Sequence, residues 1–477
     1  MSNPPVIFWF RRDLRLQDNL GFKAALDSEQ PVIPLFIFDP AILQSPRIGA
    51  PRLKFMLNAL ESLSIELHKH QRELLIRHGD PNDVLRALID ETGADKLFFN
   101  IDYTPFARKR DEIIQNTLKI DVQAFHDRLL AAPGDVLKDD GKPYVVYTPF
   151  KNKWRKLPKP DRPERYEISA DNLHTLEGIQ NDGIPTIADL GFDETINVPI
   201  ASEDKALHIL EAYMSKPVYS YKEGRNALGN PSTAQPTNPL TQTSFLSPYI
   251  RFGLVSLRQI YWSARDAHAE TQSDDRQESV STFVNEIIWH EFYTHILYFF
   301  PQVKTANFYD KYDDLAWNTS DSDLQAWKDG QTGYPVVDAA MRQLKATGWM
   351  HNRARMIVAS FLTKDLLIDW REGELHFMQW LLDGDLAANN GGWQWAAGTG
   401  TDAQPYFRIF NPISQSTKFD PDGDFIRCWI PELRDVPDKF IHEPWKMDNP
   451  PENYPPPIVD HSEARQRTLD AFKAATK

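Results

Sequence analysis

The densest chemistry in the sequence lies in Asp383-Gly384-Asp385-Leu386-Ala387-Ala388-Asn389-Asn390-Gly391-Gly392-Trp393-Gln394-Trp395. Paired acids, paired amides and paired glycines make a poor core helix. They make a suitable wall for a polar, planar ligand, with the backbone approaching closely at the glycines. A buried cofactor is the simplest account. Upstream, Thr243-Ser244-Phe245-Leu246-Ser247-Pro248-Tyr249 offers hydroxyls and backbone N–H groups at an expected helix start, which suits a phosphate; alone, it reads as a helix cap. Tryptophans crowd the same half: Trp289, Trp317, Trp327, Trp349, Trp370, Trp380, Trp393 and Trp395. Any one of them alone is read as packing, since indole supplies a large buried area.

Other devices are excluded. His290 and His295 stand five apart, about 140° around a helix, so the HExxH zinc geometry fails and no metal site is expected. No GxGxxG follows the first strand, and neither GxxxxGK[ST] nor GxSxG occurs, which argues against a Rossmann dehydrogenase, a P-loop ATPase and an α/β-hydrolase. The single cysteine, Cys428, rules out an internal disulfide and is read as a small buried side chain. A net charge of −14 argues against a protein that coats nucleic acid nonspecifically. Arg342, Lys345, His351, Arg353 and Arg355 form a local basic cluster, readable as a solvated helix face.

The elements that must position these residues fall into two halves. Short apolar runs at Val6–Phe10, Val32–Phe38, 74–77, Lys96–Asn100 and 122–125 alternate with helical patterns, which predicts a doubly wound parallel α/β domain over 1–130. Asp80 and Pro81 mark a helix start and Gly93 its end. Prolines accumulate over 131–200, read as an interdomain linker, and from 201 to 477 helical patterns such as 283–300, 335–347 and 350–367 predict a large all-α domain. Polar stretches at 226–243 and 270–278 are read as loops. No apolar run reaches membrane-spanning length and Met1–Arg12 places its charges after the apolar run, so a cytoplasmic protein is expected.

Taken together these pieces resemble the photolyase and cryptochrome family, closest to class I cyclobutane pyrimidine dimer photolyases. The resemblance rests on Phe8-Trp9-Phe10-Arg11-Arg12-Asp13-Leu14-Arg15-Leu16-Gln17-Asp18-Asn19, on Gly333 to Arg342, on Trp349-Met350-His351-Asn352-Arg353 and on Asp383 to Trp395. It implies a light-driven carbon–carbon lyase that repairs dimers in DNA, working as a monomer on a folded FAD in the fully reduced anionic state. Tyr221, Thr243, Ser244, Phe245, Leu246 and Ser247 would line the cofactor. So would Glu286, Asn352, Arg355, Asp383, Gly384, Asp385 and Asn389, with Asn389 facing the flavin N5 and Arg355 paired to Asp383.

By the same resemblance, Trp289 and Trp395 wedge a flipped-out lesion, Met356 packs on it, and Glu286 and Asn352 meet its polar edges. Arg225, Arg353, Arg408 and Gln415 would contact DNA, and Trp393, Trp370 and Trp317 would relay electrons to the flavin. A cryptochrome-type receptor or a (6-4) photolyase is the alternative. The second would carry histidines at Asn352 and Met356, and the first a different residue at Asn389. Four positions depart from the family pattern: Phe245 replaces a basic residue, Phe283 a tryptophan and Ala107 the folate-binding glutamate, and the loop 226–242 is lengthened. A second chromophore is therefore left open between methenyltetrahydrofolate, a deazaflavin and none.

Overall fold

The computed structural model describes residues 3–193, 196–228 and 243–475. Its sheet joins β1 (Val6–Phe10), β2 (Val32–Phe38), β3 (Leu75–His78), β4 (Lys96–Asn100) and β5 (Asp121–Phe125), all parallel, in the order β3-β2-β1-β4-β5. Val6 is level with both Val32 and Lys96, so β1 is the centre from which the chain winds outward in two directions. Alternation along β1 splits the core. Val6, Phe8 and Phe10 join the cluster that continues into the helical half, while Ile7 and Trp9 point to the other face.

In the first half the helices are α1 (Leu20–Leu26), α2 (Pro40–Leu43), α3 (Ala50–Lys69), α4 (Pro81–Thr92) and α5 (Pro105–Thr117). Asp80 caps α4 through the backbone N–H groups of Asn82 and Asp83, and Gly93 ends it at φ 70°, as the sequence predicts. The proline-rich stretch is less bare than expected, because it contains α6 (Tyr147–Lys156). Tyr147, Phe150 and Trp154, at helical spacing, are buried and hold it down.

The second half runs through α7 (Glu203–Ser215), α8 (Tyr221–Gly224), α9 (Ser247–Arg251), α10 (Leu257–Glu270) and α11 (Asp274–Phe299). It continues with α12 (Asp321–Asp329), α13 (Pro335–Thr347), α14 (Asn352–Ser360), α15 (Trp370–Trp380) and α16 (Leu386–Ala397), and ends with α17 (Pro412–Phe419), α18 (Asp424–Trp429) and α19 (His461–Ala475). No strand occurs here among the described residues.

Several expectations are corrected. The loop expected at 270–278 shrinks to three residues, because the Ser273 side chain accepts the Arg276 N–H and Asp274 and Asp275 favour the first turn of α11. The helix expected over 350–367 is α14 followed by a π-helical turn, Phe361–Asp365, wholly buried under α19. Cys428 is exposed, not buried: on α18 it follows the stripe of exposed Asp424, while Phe425 and Ile426 face inward. Of the loop expected at 226–242, residues 229–242 lie outside the described ones.

The motif around Gly333 is a structural knot. Buried Asp338 accepts hydrogen bonds from Thr332, from the Gly333 N–H and from the Tyr454 hydroxyl. Gly333, at φ 78°, lies where a Cβ would stand 2.3 Å from the Pro456 carbonyl oxygen. The tail that leads to α19 is thereby tied to α13.

Candidate active site

Asp385 starts α16: its side chain accepts the backbone N–H groups of Ala387 and Ala388 at 3.0 and 3.2 Å. Its other oxygen meets Arg12, from the end of β1, at 2.5 Å. Arg12 also reaches Asp102 at 3.2 Å, and Arg128 stands 3.3 Å from Asp102 and 3.9 Å from Asp385. Burial would raise both carboxyls, but Arg12 and Arg128 outweigh it and hold Asp102 and Asp385 well below the usual range. Burial pushes the neighbouring His290 down to about 4, so it is neutral.

Beside this network Arg355 donates to Asp383 at 2.7 Å, as expected for the pair. Among the described residues, the second oxygen of Asp383 is buried and accepts nothing. Gly384 lies against Arg52, and a Cβ there would stand 2.1 Å from its Nη1. Arg52 is buried, donates only to the carbonyls of Arg47, Met378 and Leu381, and pairs with no carboxylate among the described residues. Burial and nearby Arg12 lower it to about 10, still charged at neutral pH. With the Arg47–Glu374 pair at 3.1 Å included, five guanidinium groups (Arg12, Arg47, Arg52, Arg128, Arg355) thus face four carboxylates (Asp102, Glu374, Asp383, Asp385). The site is set up for a further negative charge.

Along α16, Asn389 donates its amide to the Glu374 carbonyl at 2.9 Å, which leaves its amide oxygen without a donor among the described residues. Two glycines let α16 pack closely. A Cβ on Gly391 would fall 2.1 Å from the Tyr293 ring, and one on Gly373 of α15 would fall 2.1 Å from the Trp393 ring. Trp393 touches Phe377 and Trp327, and its indole N–H is buried without an acceptor among the described residues. Trp370, one turn before Gly373 on α15, donates to Asn307 at 2.9 Å, and half-buried Trp317 meets Phe472 of α19 edge-on at 6.5 Å.

The α11 and α14 walls pack against α16. On α11, Glu286 pairs with Arg225 at 2.5 Å; burial raises its carboxyl and Arg225 opposes that. Trp289 is half-buried, and Trp395 is half-buried on α16. On α14, Asn352 is exposed and Met356 half-buried, while Arg353 donates to Asn226 at 2.7 Å and lies over Phe419. Tyr221, on α8, packs edge-on against Phe283, whose phenyl ring takes the place expected of an indole.

The helix start expected in Thr243–Tyr249 is present as α9, but the cap is not: among the described residues no side chain caps α9, Leu246 is the cap residue, Ser247 lies inside the first turn, and the Ser244 hydroxyl accepts the Leu246 N–H at 3.4 Å. Phe245 adopts φ 52° and packs on Trp349 at 4.4 Å. Its ring fills space that a cation would have left polar.

Most of the basic cluster is neutralised by its partners. Arg342 pairs with Glu432, Lys345 with Asp329 and Arg355 with Asp383, while burial lowers His351 to about 3. Arg353 is the exception, meeting the Asn226 amide and no carboxylate among the described residues. Arg408 is exposed in the turn beyond α16, and Gln415 is half-buried on α17. Three features escaped the sequence reading: the Arg12–Arg128 network, Glu374 behind Asn389, and Tyr147, which stacks on Trp289. Arg12 had a signal, since it lies inside the Phe8–Asn19 motif.

The chain is similar to known proteins over its whole length. The model for the FAD binding domain of DNA photolyase matches residues 283–474, and the model for DNA photolyase matches residues 6–167. A deoxyribodipyrimidine photo-lyase from Halobacterium salinarum is 41% identical over 493 residues, covering 98% of this chain and 99% of that protein. The crystal structure of a bacterial class III photolyase from Agrobacterium tumefaciens superposes with a TM-score of 0.88 at 36% identity, covering 100% of this chain and 98% of that one. An archaeal photolyase from Sulfolobus tokodaii, solved with two FAD molecules, gives 0.83 at 32% identity, covering 98% and 100%.

Proposed function

The chain belongs to the DNA photolyase family, and from that premise we propose that its helical half repairs cyclobutane pyrimidine dimers in DNA, driven by light absorbed by FAD. The observation that carries this reading is the surplus of buried guanidinium charge around Asp383 and Asp385, beside the open amide oxygen of Asn389. A planar ring that offers N–H donors and carries one negative charge fits that donor and acceptor set, as the reduced flavin does. Bound in that form, FAD supplies on excitation the electron that opens the cyclobutane ring, and recovers it afterwards.

The residues then divide the work. Arg355, with Asp383, and Asn389 would orient the isoalloxazine, Asp385 and Gly384 would fix the start of α16, and Tyr221, Thr243, Ser244, Phe245, Leu246 and Ser247 would hold the remainder of the cofactor. Asn389 is an amide, so it accepts a hydrogen bond without offering an acidic proton. A dimer inside a duplex cannot reach a buried flavin, so the lesion is flipped out, at a cost lowered by its weakened pairing. Trp289, Trp395 and Met356 receive it, and Glu286 and Asn352 meet its polar edges.

Arg225, Arg353, Arg408 and Gln415 hold the DNA strand by contacts that position it without reading sequence. Trp393, Trp370 and Trp317 carry electrons inward when the flavin is oxidised. Amide and thioether side chains at Asn352 and Met356, in place of histidines, support dimer repair over (6-4) repair. No helix among the described residues is long and apolar enough to cross a membrane, and we take the working form to be a cytoplasmic monomer. The test is repair of dimer-containing DNA by purified holoprotein under near-ultraviolet or blue light; equal repair in darkness would overturn the reading.

A further inference from the structure

The geometry points to Tyr147 as a positioning residue for the lesion pocket: it backs the indole of Trp289 and fixes the plane on which the flipped dimer rests. This rests on the reading of Trp289 given above. The two rings stack face to face, with centroids 3.6 Å apart and planes 5° from parallel. Tyr147 is only 7% exposed, whereas Trp289 is half-buried, with Phe292 and Tyr293 at 5.7 and 5.5 Å, so the tyrosine covers one face of the indole while part of the indole stays accessible.

Tyr147 is itself held from three directions. Its hydroxyl donates to the Asn285 carbonyl on α11 at 3.0 Å, its backbone N–H donates to Asp402 at 3.2 Å, and its ring lies edge-on to Phe292 at 5.8 Å. The Asp402 bond satisfies an N–H that the first turn of α6 leaves unpaired. The Thr401 hydroxyl bonds the Val145 carbonyl alongside. Tyr147 therefore joins α11, which carries Glu286 and Trp289, to the turn that follows α16 and leads to Arg408.

The rest of α6 acts as a splint. Phe150 packs on Phe292 and His295, the Trp154 indole N–H donates to Glu291 at 2.5 Å, and Arg155 donates to the Asn285 side chain at 3.0 Å. All these partners lie on the stretch of α11 around Trp289. An indole stacked in this way keeps one orientation before the lesion arrives, so less rotational freedom is lost on binding. The ordering cost has already been met in folding.

The experiment compares Tyr147→Ala and Tyr147→Phe with the wild type, as FAD-loaded full-length protein, on matched dimer-containing and undamaged DNA. Loss of the stack in Tyr147→Ala is expected to weaken dimer-DNA affinity about 5- to 10-fold and raise KM accordingly. Binding to undamaged DNA, flavin content, flavin photoreduction without DNA, and turnover at saturating substrate should stay near wild type. Tyr147→Phe keeps the flat ring and should restore affinity to within about twofold. Wild-type dimer affinity in Tyr147→Ala overturns the proposal. So does a parallel loss of flavin, melting temperature and undamaged-DNA binding that Tyr147→Phe fails to rescue, which is the pattern of a merely structural residue. If Tyr147→Ala does not fold, Tyr147→Leu, with bulk but no flat face, carries the same comparison. A wild type that shows neither preference for dimer DNA nor repair in light sinks the reading of the whole site, and this inference with it.

Discussion

At the scale of single residues, Trp393 combines two properties that packing alone does not require. Its indole N–H is buried with no acceptor among the described residues, a cost of about 1–3 kcal/mol for a polar group. Its ring also occupies a groove that exists only because residue 373 is glycine. Trp393→Phe removes the N–H and most of the indole's electron-donating capacity while keeping an aromatic ring in the groove. We expect that variant to lose light-driven reduction of oxidised flavin, followed by bleaching of the oxidised-flavin absorption, and to repair normally once reduced chemically. Undiminished photoreduction would refute the relay role. Residue types announced this site well, since acids, amides and glycines so close together have few other uses. Their partners were not announced: which oxygen of Asp383 stays free, and which amide atom of Asn389 is engaged, depends on Arg355 and Glu374 arriving from other helices.

At the scale of elements, α11 is the spine, and Glu291 fastens two pieces of chain to it through three donors. Its carboxyl accepts the backbone N–H groups of Leu130 and Ala131, where the chain leaves the α/β half, and the indole N–H of Trp154 on α6. Burial pushes this carboxyl up to about 7 against those donors, from an ordinary 4.5. Between those two values the folded protein keeps a proton that the unfolded chain has released. Stability from this group is therefore complete below about pH 4.5, falls as the pH rises to about 7, and is level above, a change of about 3 kcal/mol. Glu291→Gln, neutral throughout, should show a flatter decline of melting temperature between pH 4.5 and 8 than the wild type. Equal slopes would exclude Glu291 as the titrating group. The long periodic elements could be read from sequence because a 2.0 or 3.6 repeat identifies itself. α6 could not, since its Tyr147, Phe150 and Trp154 stripe sits among prolines and lysines and gains its meaning only against α11. The π-helical turn at 361–365 was hidden as well, because Thr363, Lys364 and Asp365 are buried there despite being polar, and one extra residue in a turn leaves no periodic mark on the sequence.

At the scale of the whole molecule, the two halves are joined by buried ion pairs, and the placement of charge matters more than its sum of −14. One network links Arg15 and Arg258 to Asp127, with Arg258 also on Asp18; the other links Arg12 and Arg128 to Asp102 and Asp385. The second reaches from the carboxyl ends of the central strands β1 and β4 to the cap of the helix that carries Asn389. Thus the α/β half helps hold the start of α16, a connection across 373 residues of sequence that no local pattern could have shown. Removing Arg12 strands two buried carboxylates on Arg128 alone, and breaking a buried pair in this way costs about 3–5 kcal/mol. Arg12→Ala should therefore lower the melting temperature and, because the start of α16 loosens with Asp385, release FAD more readily on gel filtration. Arg15→Ala removes a comparable buried partner from the other network, away from the start of α16, and should lower the melting temperature while retaining FAD. If both variants lose stability equally and neither loses flavin, the Arg12 network is only a fastening between domains, and the surplus guanidinium charge is not what holds the cofactor.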